Sequence, residues 1–279
     1  MPVKTILVCL TTPEHAEALM AAAVPLARRH GAHLIGLHTL EALDVHPGVA
    51  LYITKAQFKS FRESQKETAE KIREVFEERT KNEVFVSEWR QLDTQSKTAA
   101  DRMIQSARAA DLVIMAHEDK KTDRYDQRHI QAAVIRQSGR PVIVVPTDYS
   151  GPEIGKTILM GWSDTREAAR AAHDALSIAD ENARFLLLRV KDRASDELQD
   201  ADLLDLCSAV SRHGHDVKLL HTECHGSAIS EALLKKGFEE GADLVVTGAF
   251  GHSAAYDFVV GATTSALLKT AKLPVLFSK

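Results

Sequence analysis

KTILMGWSDTREAARAAHDA, residues 156–175, rewrites KTILVCLTTPEHAEALMAAA, residues 4–23, at an offset of 152. Each copy opens on an apolar run of strand type and passes directly into an alanine-rich helical pattern. The echo continues along the chain. AADLVIMA at 109–116 returns as GADLVVTG at 241–248, an offset of 132, and RPVIVVP at 140–146 returns as LPVLFSK at 273–279, an offset of 133. The offset falls because the first copy carries about twenty extra residues after its second strand. TDYSGPEIG, 147–155, is rich in turn formers and separates the copies. The chain therefore reads as a tandem duplication, with domains expected at 1–149 and 150–279.

Each copy alternates strand and helix signals. In the second, strands are expected at 157–162, 184–190, 216–222, 243–247 and 274–278. Helices are expected at 164–179, capped by Ser163 or Asp164, near 195–213, near 226–240 and at 257–271. Runs such as LLLRV and LVVT are apolar on consecutive residues, the mark of a parallel sheet covered on both faces. Repeated strand–helix–strand units imply right-handed crossovers and an α/β fold: two tandem doubly wound domains of Rossmann type. The terminal strands, 141–145 and 274–278, are short and apolar, and unpaired edges invite pairing. They are expected to meet across a pseudo-twofold axis, making the chain a pseudo-dimer, and association into dimers of chains is left open. The extra residues of the first copy include 55–81, a charged helix with an apolar stripe of Phe58, Phe61, Ile72, Val75 and Phe76.

A net charge of -4 without a basic stripe argues against nucleic acid as a partner. No apolar run approaches the roughly 18 residues of a membrane span. The odd set Cys9, Cys207 and Cys224 fits free thiols in a reducing compartment, and a cytoplasmic protein is expected. HTECH, 221–225, brings His221, Cys224 and His225 together, but structural zinc takes four ligands and no second pair accompanies them.

The segment GAFGHSAAYDFVVGATT, 248–264, places Gly248, Gly251 and Gly261 where a strand stops and a helix starts. Two readings compete. The glycines serve a tight strand exit and close helix packing, or they let main-chain N–H groups converge on a phosphate, with Thr263 and Thr264 adding hydroxyls. The spacing is neither that of a P-loop nor that of G-x-G-x-x-G. In open α/β sheets ligands bind beyond the carboxyl ends of the strands, which brings in Trp162, Ser163, Asp164, Val190, Thr247 and His252. Trp162 suits either the core or a base, and Asp164 either a helix cap or a nucleotide-bound Mg²⁺.

G-x₂-G-x₉-G followed by small or hydroxyl residues, at the end of a fourth strand and ahead of a PV terminal strand, resembles the universal stress protein family. The resemblance covers nearly the whole chain in two copies and includes TILMGWSDTREAARAA and GADLVVTGAFGHS. It implies a five-stranded parallel sheet per half, the adenine nucleotide alpha hydrolase-like fold, and pairing of domains through terminal strands. It also implies an ATP or AMP site, with Gly248, Gly251 and Gly261 matching the family's three glycines and Thr264 its later hydroxyl. Two positions depart from the pattern. Ala262 stands where the family often has Ser or Gly, and Ser163 followed by Asp164 where an acidic residue often ends the first strand.

The first copy has lost the glycines. Their counterparts are Ala116, Asp119 and a position near Arg128 or His129, and Glu118, Asp119, Asp123 and Asp126 crowd the segment beside Lys120, Lys121 and Arg124. It reads as a degenerate partner domain. Three functions remain: a nucleotide-binding regulator of a stress response, a weak ATP-hydrolysing enzyme, or a scaffold whose site Ala262 and Ser163 have disabled. The absence of Lys and Arg from 248–264 argues against efficient phosphoryl transfer.

Overall fold

The computed structural model describes residues 3–41, 48, 54–95, 97–118, 127–151, 153–191, 201–224, 228–251 and 261–279. In the first half the described strands are β1 (Thr5–Cys9), β2 (His33–Leu40), β3 (Ser87–Asp93), β4 (Leu112–Ala116) and β5 (Val142–Val145). Around them lie helices α1 (Pro13–His30), α2 (Lys55–Thr80), α3 (Ala99–Ala107) and α4 (Gln127–Gln137). The second half repeats the order as β6 (Thr157–Trp162), α5 (Arg166–Ile178), β7 (Arg184–Lys191), α6 (Ala201–Arg212) and β8 (Asp216–Glu223). It closes with α7 (Ile229–Glu239), β9 (Leu244–Gly248), α8 (Ala262–Thr270) and β10 (Val275–Ser278).

All ten strands join one sheet in the order β3-β2-β1-β4-β5-β10-β9-β6-β7-β8. Every pairing inside a half is parallel, as consecutive apolar residues require when helices cover both faces. The junction alone is antiparallel: Val275 faces Val144, Leu276 faces Ile143 and Phe277 faces Val142. The two terminal strands thus meet across a pseudo-twofold axis, and what would be the edge of each half becomes the middle of a larger sheet. Both apolar layers run across this junction. Ile6, Val8 and Ile143 share one with Ile158, Phe185 and Leu276, while Leu7, Val113 and Val144 share the other with Leu159, Val245 and Phe277.

Local sequence fixes the ends of the elements. Thr54 with Gln57 and Thr98 with Asp101 close capping boxes at the starts of α2 and α3. At the other end of each half's central strands an aspartate ties strand starts together, exposed in the first half and buried in the second. Asp111 accepts from the N–H groups of Lys4 and Thr5 at 2.9 and 3.0 Å. Asp243 does the same for Gly155, Lys156 and Thr157 at 2.6, 2.9 and 2.6 Å. The same duplication that repeats ADLV in the sequence thus repeats a main-chain tether in space.

The expected long helix is present as α2, but its stripe divides. Ile72 and Phe76 are buried and Val75 packs against the core, whereas Phe58 is 46% exposed. Gly36 of β2 makes the buried end possible, since a Cβ there would come within 2.7 Å of the Phe76 ring. In the second half α5 starts later than expected. Its N-cap is Thr165, whose hydroxyl accepts from the Ala168 N–H at 3.2 Å, not Ser163 or Asp164. β-Branched Thr165 has the extended backbone a cap needs, and Asp164 is left exposed on the turn. Gly261, expected inside the last helix, instead forms its N-cap, and α8 begins at Ala262. The expected helical stretches 195–200, 226–227 and 257–260 lie outside the described residues.

Candidate functional site

Beyond the carboxyl ends of β6 and β9, where the strand order reverses, the second half has a cleft of about 550 Å³. This is the place and size at which open α/β sheets take small ligands. One wall is apolar: Leu188 and Val190, two apart on β7 and so on one face, oppose Ile229 and Leu233, one turn apart on α7. The floor is Gly161 and Trp162 at the end of β6 with Ser163 and Thr165 on the following turn. The opposite wall is main chain and hydroxyl, with Thr247, Gly248, Phe250 and Gly251 on one side and Gly261, Ala262, Thr263 and Thr264 on the other.

The glycines stand there for different reasons. A Cβ on Gly248 would lie 2.6 Å from Ala168 N and from Glu167 C, so β9 passes against the first turn of α5 with no room for a side chain. On Gly251 a Cβ would reach Glu167 Oε2 at 3.0 Å and Thr165 Oγ1 at 3.4 Å. These two glycines serve a tight strand exit. Gly261 differs. Among the described residues a Cβ there would meet nothing nearer than Thr264 Oγ1 at 3.9 Å, and its φ of −53° is open to any residue. No packing requirement among the described residues calls for a glycine, while the space a Cβ would fill lies in front of the first N–H groups of α8. Those groups have no acceptor inside the helix, and the N-cap Gly261 has no side chain with which to cap them.

Trp162 serves the core and the cleft at once. It packs against the buried layer, lines the floor, and donates its indole N–H to Asp202 Oδ2 at 2.7 Å. Arg189, its neighbour across β6 and β7, donates to the same oxygen at 2.5 Å. Burial pushes the Asp202 pKa up, but the two donors outweigh it and hold the carboxyl below its usual range. Glu167, buried at the start of α5, follows the same balance: desolvation raises it, and the bond and charge of Arg166 bring it below the ordinary value.

Of the residues singled out in the sequence, Trp162, Ser163, Val190, Thr247, Gly248, Gly251, Gly261, Ala262, Thr263 and Thr264 come together around this cleft. Asp164 is solvent-exposed and does not line it. His252 lies outside the described residues. Sequence reasoning passed over Leu188, which strand periodicity from Val190 points to, and Ile229 with Leu233, which helical spacing pairs. Phe250 and Gly161 gave no signal of their own.

At the matching place in the first half the cavity is about 20 Å³, bordered by Cys9, Thr11, Met115, Ala116, His117, Ile130 and Gln131. Gln131 occupies the position of Thr263 at the 132 offset, is buried at the cavity's border and donates its Nε2–H to Ala116 O at 2.6 Å. Burial raises the Cys9 thiol to about 12, so it stays protonated and inert. Among the described residues no cluster of His, Cys, Asp and Glu is placed to hold a metal ion, and His225 of the HTECH segment lies outside them. No helix among them is long and apolar enough to cross a membrane.

With fold and cleft in view, the chain belongs to the universal stress protein family, whose sequence profile matches twice, at residues 2–146 and 155–279. A solved universal stress protein from Archaeoglobus fulgidus is similar over 98% of this chain and 96% of its own, with a TM-score of 0.67 at 15% identity. A functionally unknown protein from Pseudomonas aeruginosa PAO1 is similar over 99% of this chain and 92% of its own, with a TM-score of 0.61 at 17% identity. A universal stress protein in complex with cAMP matches 46% of this chain and 98% of its own, at 22% identity and a TM-score of 0.38. No curated protein matches the chain.

Proposed function

We propose that this chain is an adenine-nucleotide-binding regulator of a cytoplasmic stress response, taking ATP or AMP in its second half. The observation that carries the reading is that no described neighbour stands where a Cβ on Gly261 would lie. A packing glycine has a neighbour that forbids a Cβ; among the described residues Gly261 has none, it lines the cleft, and as N-cap it has no side chain to cap the helix N–H groups behind it. Such a helix start favours an anion. The base lies along Val190, Leu188 and Trp162, and the phosphates lie between Gly248–Gly251 and Gly261–Thr264.

The second half binds and the first does not, because the first half's matching cavity, with Gln131 at its border, is far smaller than the second half's cleft. Phosphate charge is met by main-chain N–H groups and hydroxyls in a segment without Lys or Arg. That set suits holding a nucleotide more than cleaving one. A Mg²⁺ carried by the nucleotide would be held from the cleft-lining Ser163, with Asp164 beside it on the exposed side of the turn. Mass spectrometry of the small molecule released when freshly purified protein is denatured tests the reading. An adenine nucleotide at near one equivalent supports it. Protein that releases none and shows no ATP or AMP binding by calorimetry favours the scaffold reading, in which Ala262 and Ser163 have disabled the site.

A further inference from the structure

Phe250 lies between the two strand-exit glycines and lines the cleft, yet its backbone is left-handed, with φ of +62°. Among the described residues only one other non-glycine, Gln95, has a positive φ. An aromatic residue holds that conformation only where its surroundings impose it. What imposes it here comes partly from the other half. The guanidinium carbon of Arg136, in the last turn of α4, stands 4.2 Å from the centroid of the Phe250 ring. On the second half's own side, Lys279 Nζ stands 5.8 Å from that centroid, and the Ala249 N–H donates to Ser278 O at 2.8 Å. A second cross-half contact reaches the facing wall: His117, just past β4, bonds through Nε2 to Leu267 O of α8 at 3.2 Å.

We infer that Arg136 is a positioning residue for the second half's ligand site, acting through the face of Phe250. The first half, whose own cavity is small, thereby holds the Gly248–Gly251 loop in its binding geometry. A guanidinium over an aromatic face fixes the ring plane, and the ring fixes the φ of the residue between the glycines. The loop's N–H groups are aimed by a residue more than a hundred positions away in sequence. The inference rests on the nucleotide reading of the cleft, so its test has one arm that uses nucleotide and one that does not.

The nucleotide arm is a double-mutant cycle with Arg136→Ala, Phe250→Gly and both together, titrated calorimetrically with ATP and AMP. Glycine adopts positive φ freely, so Phe250→Gly removes the ring that Arg136 acts on. Arg136→Ala is expected to weaken binding by roughly three- to thirtyfold, Arg136→Lys to restore most of it, and Arg136→Ala in the Phe250→Gly background to change nothing further. The ligand-free arm is hydrogen exchange at Ala249–Gly251, which Arg136→Ala should accelerate while β9 and β10 amides keep their protection. Unchanged exchange at the loop overturns the inference, as does equal loss of affinity with and without the Phe250 ring. If wild-type protein binds neither ATP nor AMP, the nucleotide reading fails, and with it the part of the inference that concerns binding. Accelerated loop exchange then still establishes the clamp on Phe250.

Discussion

Gly248 at the end of β9 lies so close to Ala168 in α5 that a Cβ on the glycine would stand 2.6 Å from the alanine's main-chain nitrogen. Main chain at a helix start cannot turn aside as a long side chain can. Gly248→Ala is therefore expected to cost about 1–3 kcal/mol through overpacking. At this chain length that lowers the melting temperature by several degrees, at about 2–4 °C per kcal/mol. Thermal melting of the ligand-free variant checks it, and a wild-type melting temperature would show that the strand and α5 can part without penalty.

The junction beyond the amino ends of the strands sets a pH dependence. Arg29 of α1 donates to Ile154 O at 2.7 Å and to Ile178 O at 3.3 Å, tying the first half to the second. Beside it, burial and then the Arg29 charge lower the pKa of His30 from the ordinary 6.5. His215, against the Phe185 ring, is lowered by burial and then by His213. Both imidazoles stay neutral in the folded chain while the unfolded chain takes up protons first. Stability is then complete above pH 6.5 and declines as pH falls below it towards the folded values. Urea midpoints should drop between pH 7.5 and 5.5, and a His30→Gln, His215→Gln variant should show a flatter profile. An equally steep profile in the variant would place the dependence elsewhere.

At the cleft floor Asp202 joins Trp162 and Arg189. Its folded pKa lies below the ordinary 3.8, so its contribution is present above that pH and is lost as pH falls through the folded value. Asp202→Asn keeps an acceptor for the indole N–H and removes the charge that holds Arg189. The carboxylate is about a third exposed, so screening limits the loss to about 1 kcal/mol or less at pH 7. Urea midpoints of the two proteins should converge as pH falls below 3.8, and Trp162 emission should shift in the variant at pH 7. Midpoints that stay apart at low pH would mean that the variant repacks the floor.

The fold was legible because a duplication states the same pattern twice. A boundary blurred in one copy is sharp in the other, and the PV terminal strands announced the junction between β5 and β10. Helix starts were less legible, because Ser163, Asp164 and Thr165 are all good caps and only backbone geometry selects Thr165. Most of the candidate site was legible from strand ends and glycine spacing. The spacing alone could not separate Gly248 and Gly251, which answer to Glu167 and Ala168, from Gly261, which answers to no described neighbour. Nor could it give Arg136, since a cation over Phe250 depends on how the halves meet, and that is a property of the assembled sheet.

Gly261 is where packing and recognition separate most cleanly. Its φ of −53° and ψ of 138° suit a β-branched residue, and the nearest described atom to a Cβ is Thr264 Oγ1 at 3.9 Å. Gly261→Val should therefore fold normally, with a stability change within about 0.5 kcal/mol. Valine at that position places methyl groups in front of the first N–H groups of α8, where the proposed phosphates lie. Affinity for ATP is then expected to fall at least roughly tenfold, or about 1.4 kcal/mol, while Gly248→Ala loses stability first. Calorimetric titration and thermal melting of both variants set the two glycines side by side. Normal ATP affinity in a well-folded Gly261→Val protein would move the phosphates away from α8 and with them the proposed site.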